Sequence, residues 1–159
     1  MIKKKFYSWT DVEVMCQQIV TKLYETNWKP DYIVGITRGG NVPATILSNM
    51  TGIRCEAVKV SLRDGESGKT GDSIAWMAQD AKEGKQILVV DDINDTGATF
   101  KWLSEDWGLN GGDNVRFAVL TENLSSDFEN VHYHCDEVNK AEEDVWLVYP
   151  WENVGVYNG

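Results

Sequence analysis

The sequence predicts an α/β fold built on a central, mainly parallel twisted sheet flanked by helices. Two observations carry the prediction. Short apolar runs rich in branched residues, at 32–36, 87–91 and 115–120, alternate with stretches whose apolar residues recur at helical spacing. The joins between them are glycine-containing turns, Thr37-Arg38-Gly39-Gly40 and Asp95-Thr96-Gly97. Strands alternating with helices pair in parallel through right-handed crossovers, and such sheets bind ligands at the carboxyl ends of their strands.

Taken in order, Thr10 and Glu13 have the spacing of a capping box, and Val12, Met15, Cys16, Ile19 and Leu23 share one helical face, which predicts a helix over 11–25. The run 32–36 is a strand; after its glycine turn, Pro43, Ala44, Ile46, Leu47 and Met50 make a helix closed by Gly52. A strand follows over 56–60. Residues 61–72 hold three glycines, mixed charge and almost nothing apolar, the composition of a mobile loop. A helix over 73–82 stops at Gly84, a strand runs over 87–91, and Phe100, Leu103 and Trp107 define a helix over 96–107 before Gly108. The last regular strand is 115–120. Beyond Ser125 only short pieces remain, 131–135 and 145–149, which predict a small flap over the site. The expected organisation is one domain over 1–159, with a core of about 8–124 and a hood of about 125–159 to which the N-terminus contributes.

The 159 residues carry a formal charge of −10, which excludes nonspecific nucleic-acid binding because that needs a positive footprint. No apolar run approaches the roughly 18 residues of a membrane span. Lys3, Lys4 and Lys5 have no apolar segment behind them, so no signal peptide is expected, and Cys16, Cys55 and Cys135 match no metal or redox spacing. The expectation is a cytoplasmic protein with reduced thiols.

The most informative stretch is ILVVDDINDTGATF, residues 87–100. A strand that turns tightly into a helix presents unpaired N–H groups and a positive dipole end to one point, and the hydroxyls of Thr96 and Thr99 add donors. That is a cradle for a phosphate monoester; an ordinary helix N-capped by Asp95 is the competing reading. Asp91 and Asp92 would repel a phosphate, so they ask for sugar hydroxyls or Mg²⁺ as partners. A receiver domain also places paired acids after a strand, but after its first strand, whereas here they follow about 85 residues.

The run 87–99 resembles the phosphoribosyl pyrophosphate signature of type I phosphoribosyltransferases over its whole length. Residues 36–43, ITRGGNVP, are similar to that family's pyrophosphate loop. Gly52-Ile53-Arg54, Ser8-Trp9-Thr10, Trp146 and Pro150-Trp151-Glu152 are similar to the bacterial xanthine-guanine enzymes. The resemblance implies Mg²⁺-dependent transfer of a phosphoribosyl group to a purine base, 6-oxopurines favoured, in purine salvage by a homo-oligomer, dimer or tetramer. A nucleotide-binding regulator without turnover, or a transferase for another base, is the alternative.

By position, the resemblance puts Asp91 and Asp92 on the ribose hydroxyls, with Asp92 as the metal ligand. Asp95, Thr96, Gly97, Ala98 and Thr99 hold the 5′-phosphate, and Asp95 is also the catalytic residue that handles the purine proton. Arg38 and Gly39 receive pyrophosphate, with a cis peptide expected between Thr37 and Arg38. Lys69, in the loop that also contains Ser61, serves as a further pyrophosphate contact or is a solvated surface lysine. Trp146 stacks on the base or packs as flap core, and the Leu147 backbone bonds the base edge. The sequence departs from the family at Asn123, where 6-oxopurine enzymes carry a lysine for the purine O6, and at Leu62, which replaces the usual loop tyrosine. His132 and His134 offer only two ligands on one face, which favours hydrogen-bonded or exposed histidines over a metal site. The aromatic end, residues 146–157, is the other candidate for a subunit contact.

Overall fold

The computed structural model describes residues 2–60, 72–109 and 111–157. The elements run β1 (Lys3–Phe6), α1 (Trp9–Glu25), β2 (Tyr32–Thr37), α2 (Asn41–Thr51), β3 (Cys55–Lys59), α3 (Asp72–Lys82), β4 (Ile87–Asn94), α4 (Ala98–Asp106), β5 (Val115–Asn123), β6 (Asp136–Val138) and β7 (Val145–Val148). Five strands form one sheet in the order β3-β2-β4-β5-β6, every neighbouring pair parallel. The chain builds outward from β2 in one direction to β3, then crosses to β4 and continues the other way. The switch point therefore lies between β2 and β4, where a crevice opens at the carboxyl ends.

Alternation along β4 shows how the two layers are assembled. Leu88 and Val90 face the side packed by Val12, Cys16 and Ile19 of α1 and Leu47 of α2, whereas Ile87 and Val89 face Met77 of α3 and Phe100, Leu103 and Trp107 of α4. A sheet covered on both faces needs nearly continuous apolar strands. That requirement explains why the runs in the sequence show no polar alternation.

Several boundaries move. The cap of α1 is Ser8, which accepts the Asp11 N–H at 3.0 Å while Asp11 accepts the Ser8 N–H at 2.8 Å, so the capping box is Ser8/Asp11 rather than Thr10/Glu13. Tyr7 sets this start: its N–H donates to the Val148 carbonyl at 2.9 Å and its ring stacks on Tyr149 at 4.9 Å, holding it outside the helix. β4 runs to Asn94, past the expected end at residue 91, because Ile93 and Asn94 still pair with Thr121 and Glu122 of β5. In place of a strand over 131–135, Tyr133 makes a single bridge to Ala118 and the sheet gains β6. β1 and β7 pair in parallel, Lys3 opposite Val145, as a separate two-stranded sheet. No helix among the described residues is long and apolar enough to cross a membrane.

Candidate active site at the sheet switch point

Four pieces of chain meet at the crevice. From β2 comes the turn after Thr37, whose peptide bond to Arg38 is cis. Arg38 is exposed and Gly39 lies against Asp92: a Cβ on Gly39 would fall inside the Asp92 carboxylate, and one on Gly40 would reach 2.8 Å from the Asp91 Cα. Glycine is required at both positions because the turn passes directly over the acids.

From β4 come the acids themselves. Asp91 Oδ1 accepts the Asp92 N–H at 2.9 Å and Asp92 Oδ1 accepts the Ile93 N–H at 2.9 Å. Among the described residues neither carboxylate forms an ion pair. Burial pushes the Asp91 carboxyl well above the usual carboxylate range, and the neighbouring Asp92 charge adds to it; burial also raises Asp92. Two acids held this way, with no ion pair among the described residues, favour a positive or hydroxyl-bearing partner.

The turn beyond them forms a concavity of about 200 Å³ lined by residues 91–100. Asp95 does not cap α4. The N-cap is Gly97, in the left-handed region at φ 92°, and the Thr96 hydroxyl accepts the Ala98 N–H at 3.2 Å. Gly97 is pressed on the segment after β5, where an added Cβ would meet the Phe128 nitrogen at 2.5 Å and Ser126 Oγ at 2.7 Å. Asn94 fixes the same joint from below, donating to the Phe128 carbonyl at 2.9 Å and to Glu122 Oε1 at 2.8 Å. The Asp95 carboxylate instead points to Lys140, 3.1 Å away.

The fourth piece is the hood. On β7 Trp146 is 57% exposed, and Leu147 is buried in the core. The tryptophan with packing partners is Trp151, which stacks on Tyr149 at 4.8 Å. Tyr149 is fully buried; its hydroxyl donates to the Asp92 carbonyl at 2.9 Å and lies 2.8 Å from Thr121 Oγ1. Thr121 donates to the Tyr7 hydroxyl at 3.1 Å, and Tyr7 donates to Asp136 at 2.6 Å. A buried polar chain thus ties the hood to the backbone of the acid pair.

Asn123 is 5% exposed and its carboxamide is engaged by the chain. Its amide donates to the Asp95 carbonyl at 2.7 Å, and its oxygen accepts the Ser125 N–H at 3.3 Å, the Ser125 hydroxyl at 3.0 Å and the Lys140 N–H at 3.0 Å. Only one N–H is left for any other partner. Lys69, Ser61 and Leu62 lie outside the described residues. His132 accepts the Phe117 N–H at 3.1 Å and His134 meets Glu137 at 2.8 Å; no cluster of three or more metal-type side chains forms among the described residues.

Sequence reasoning missed Lys140 and Tyr149. The one signal for Lys140 is that it is the only cation in a segment, residues 136–144, that also holds five acids.

The geometry has counterparts among known proteins. The chain is 31% identical over 127 residues to the xanthine-guanine phosphoribosyltransferase of Gluconobacter oxydans, covering 79% of this chain and 70% of that one. Its fold superposes on a purine phosphoribosyltransferase from Pyrococcus horikoshii with TM-score 0.74 and 24% identity, covering 99% of each chain. It also superposes on a protein of Neisseria gonorrhoeae with bound ppGpp, with TM-score 0.75 and 25% identity, covering 97% of this chain and 92% of that one. The phosphoribosyl transferase domain profile matches residues 4–151, and the chain belongs to that family.

Proposed function

We propose that this protein transfers the 5-phosphoribosyl group from phosphoribosyl pyrophosphate to a 6-oxopurine, releasing pyrophosphate, in purine salvage. The observation that carries the reading is the juxtaposition, at one switch point, of a half-buried acid pair, a helix start beside it whose N-cap is a glycine and a glycine turn packed on Asp92.

Asp91 and Asp92 orient the ribose through its hydroxyls, and residues 95–99 hold the 5′-phosphate with backbone N–H groups, the α4 dipole and the two threonine hydroxyls. Arg38 and the Gly39 N–H receive pyrophosphate, with Lys69 as a further contact. Trp146 offers an open ring face for the base, and the Leu147 backbone an edge contact. Asp95 takes up or returns the proton of the base at N7. Chemistry at the anomeric carbon builds positive charge while the leaving group gains negative charge, so the protein's share is positioning and electrostatics.

The acid pair fits Mg²⁺: its donors are hard oxygens without a competing cation, and Asp92 is the ligand assigned. When bound, the ion supplies positive charge against the departing pyrophosphate. With two protein carboxylates available, the rest of its shell comes from substrate oxygens and water. The free thiols of Cys16, Cys55 and Cys135 support a reducing, cytoplasmic setting. Exposed Phe6, Trp9 and Val14 support a homo-oligomer, dimer or tetramer.

The test is pyrophosphate release on mixing protein, phosphoribosyl pyrophosphate and Mg²⁺ with hypoxanthine, guanine, xanthine and adenine. Release with a 6-oxopurine is the expected result; tight nucleotide binding with no release from any base would sink the transferase reading. That outcome would favour a second reading, a nucleotide-binding regulator, to which the ppGpp held by the Neisseria protein lends support. Asp95→Asn is expected to lower kcat by roughly a hundredfold or more, the scale of a lost proton-transfer group, with the KM for phosphoribosyl pyrophosphate little changed. Gly39→Ala is expected to push the Asp92 carboxylate from its place and cut kcat/KM for phosphoribosyl pyrophosphate about tenfold or more, measured by initial rates across Mg²⁺ concentrations.

A further inference from the structure

We propose that Tyr149 is a positioning residue for phosphoribosyl pyrophosphate: from the hood, its hydroxyl fixes the peptide plane that in turn holds the Asp92 carboxylate. This rests on the phosphoribosyltransferase reading above.

The course of β4 shows why a brace is needed. Its pairing with β2 ends at Val90, and its register with β5 passes from Asp91–Val119 to Ile93–Thr121 without Asp92. The acid pair therefore sits where the sheet stops holding β4 from both sides, and a backbone leaving the ladder needs other partners for its polar groups. Tyr149 provides one. The peptide between Asp92 and Ile93 is planar, with its carbonyl on one edge and its N–H on the other. The carbonyl accepts the Tyr149 hydroxyl at 2.9 Å, and the N–H donates to Asp92 Oδ1 at 2.9 Å. Fixing the first edge fixes the second, and a donor on the carbonyl also polarises the N–H toward the carboxylate.

The tyrosine is itself held. Its ring stacks on Tyr7 at 4.9 Å and on Trp151 at 4.8 Å. Its N–H donates to Glu152 Oε1 at 3.0 Å, and its carbonyl accepts the Glu152 N–H at 3.0 Å. A side chain 1% exposed and anchored at both ends delivers its hydroxyl to one place. A ring kept only to fill the hood could be phenylalanine, whereas this one commits a buried hydroxyl to the backbone of the acid pair.

Tyr149→Phe keeps the ring and removes the hydroxyl. Tyr7→Phe is the comparison, because Tyr7 touches Thr121 and Asp136 on the same polar chain but not Asp92. Calorimetric binding of phosphoribosyl pyrophosphate across Mg²⁺ concentrations reads the site without turnover. In Tyr149→Phe that affinity should fall about tenfold, the scale on which a lost outer partner of a ligating carboxylate is felt, with the KM for the purine within about twofold of its original value. Tyr7→Phe should melt lower and bind phosphoribosyl pyrophosphate as the parent does. Unchanged binding in Tyr149→Phe, or equal weakening in Tyr7→Phe, would overturn the assignment while leaving the transferase reading intact. Wild-type protein that binds phosphoribosyl pyrophosphate through Tyr149 but releases no pyrophosphate with any base would do the reverse, and wild-type protein that does not bind it would overturn both. Should Tyr149→Phe fail to fold, the Cζ carbon resonance of Tyr149 in the wild-type protein must shift when phosphoribosyl pyrophosphate and Mg²⁺ bind; an unmoved resonance would overturn the assignment.

Discussion

Asp91→Asn is expected to make the ligand-free protein more stable and the catalyst worse. Burial beside Asp92 raises the Asp91 carboxyl well above its ordinary range, so the charged form that the proposed ribose contact would use is the form the fold disfavours. Removing that charge should stabilise the native state by about 1 kcal/mol, the usual yield of replacing a strained functional group, and raise Tm by roughly 2–4 °C in a chain of this size. On the proposed reading the same change replaces a charged acceptor for the ribose hydroxyls and should lower kcat/KM about ten- to hundredfold. The pH dependence has a definite sign. Because the native pKa is raised, the stability contributed by the neutral acid is complete below the unfolded value of about 3.9 and is lost as pH rises through the raised native value. Thermal melts without Mg²⁺ should therefore show a decline across that window that is smaller in Asp91→Asn. A variant that melts lower than the parent at neutral pH would contradict the account.

Gly97→Ala should have the largest effect on folding. At φ 92° an L-residue costs about 1–2 kcal/mol, and the new Cβ would press on the Phe128 nitrogen at 2.5 Å and Ser126 Oγ at 2.7 Å, an overpacking cost of about 1–3 kcal/mol. Together these lower stability by about 3 kcal/mol and Tm by roughly 6–12 °C. The comparison with Gly84→Ala isolates the two costs. Gly84 has φ 87° but nothing within 4 Å of an added Cβ, so only the backbone part applies. Equal melting shifts in the two variants would show that the joint to residues 126–128 yields freely. Affinity for phosphoribosyl pyrophosphate should fall in Gly97→Ala alone, because only that glycine lies in the turn proposed to hold the 5′-phosphate.

The parts of this molecule that could be read in its sequence are those encoded locally. Apolar runs gave β2, β4 and β5, the helical face of Val12 to Leu23 gave α1, and the contiguous stretch 87–100 held the whole turn from β4 into α4. What escaped depends on distant partners. Two capping boxes, Ser8/Asp11 and Thr10/Glu13, satisfy the spacing equally well, and the choice between them is made by Tyr7 binding Val148 and Tyr149 at the other end of the chain. β4 outlasts its apolar run because β5 offers pairing partners to residues that are themselves polar. At position 123 the side chain also bonds Asp95, Ser125 and the backbone of Lys140, and no local pattern reports a clamp between residues 28 and 17 positions apart. Hydrogen-bonded side chains of this kind leave their mark in space and not in periodicity.

The parallel pairing of β1 with β7 also bears on the order in which the protein can be made. Lys3 leaves the ribosome well before its partner Val145, which is 142 positions later, while β2, β3 and β4 can associate as soon as their own segments have emerged. Tyr149 reaches the Asp92 carbonyl at the same late moment. A translating chain therefore holds the turn from β4 into α4 before it holds the brace behind the acid pair, and a chain cut before Val145 would leave β1 without its mate.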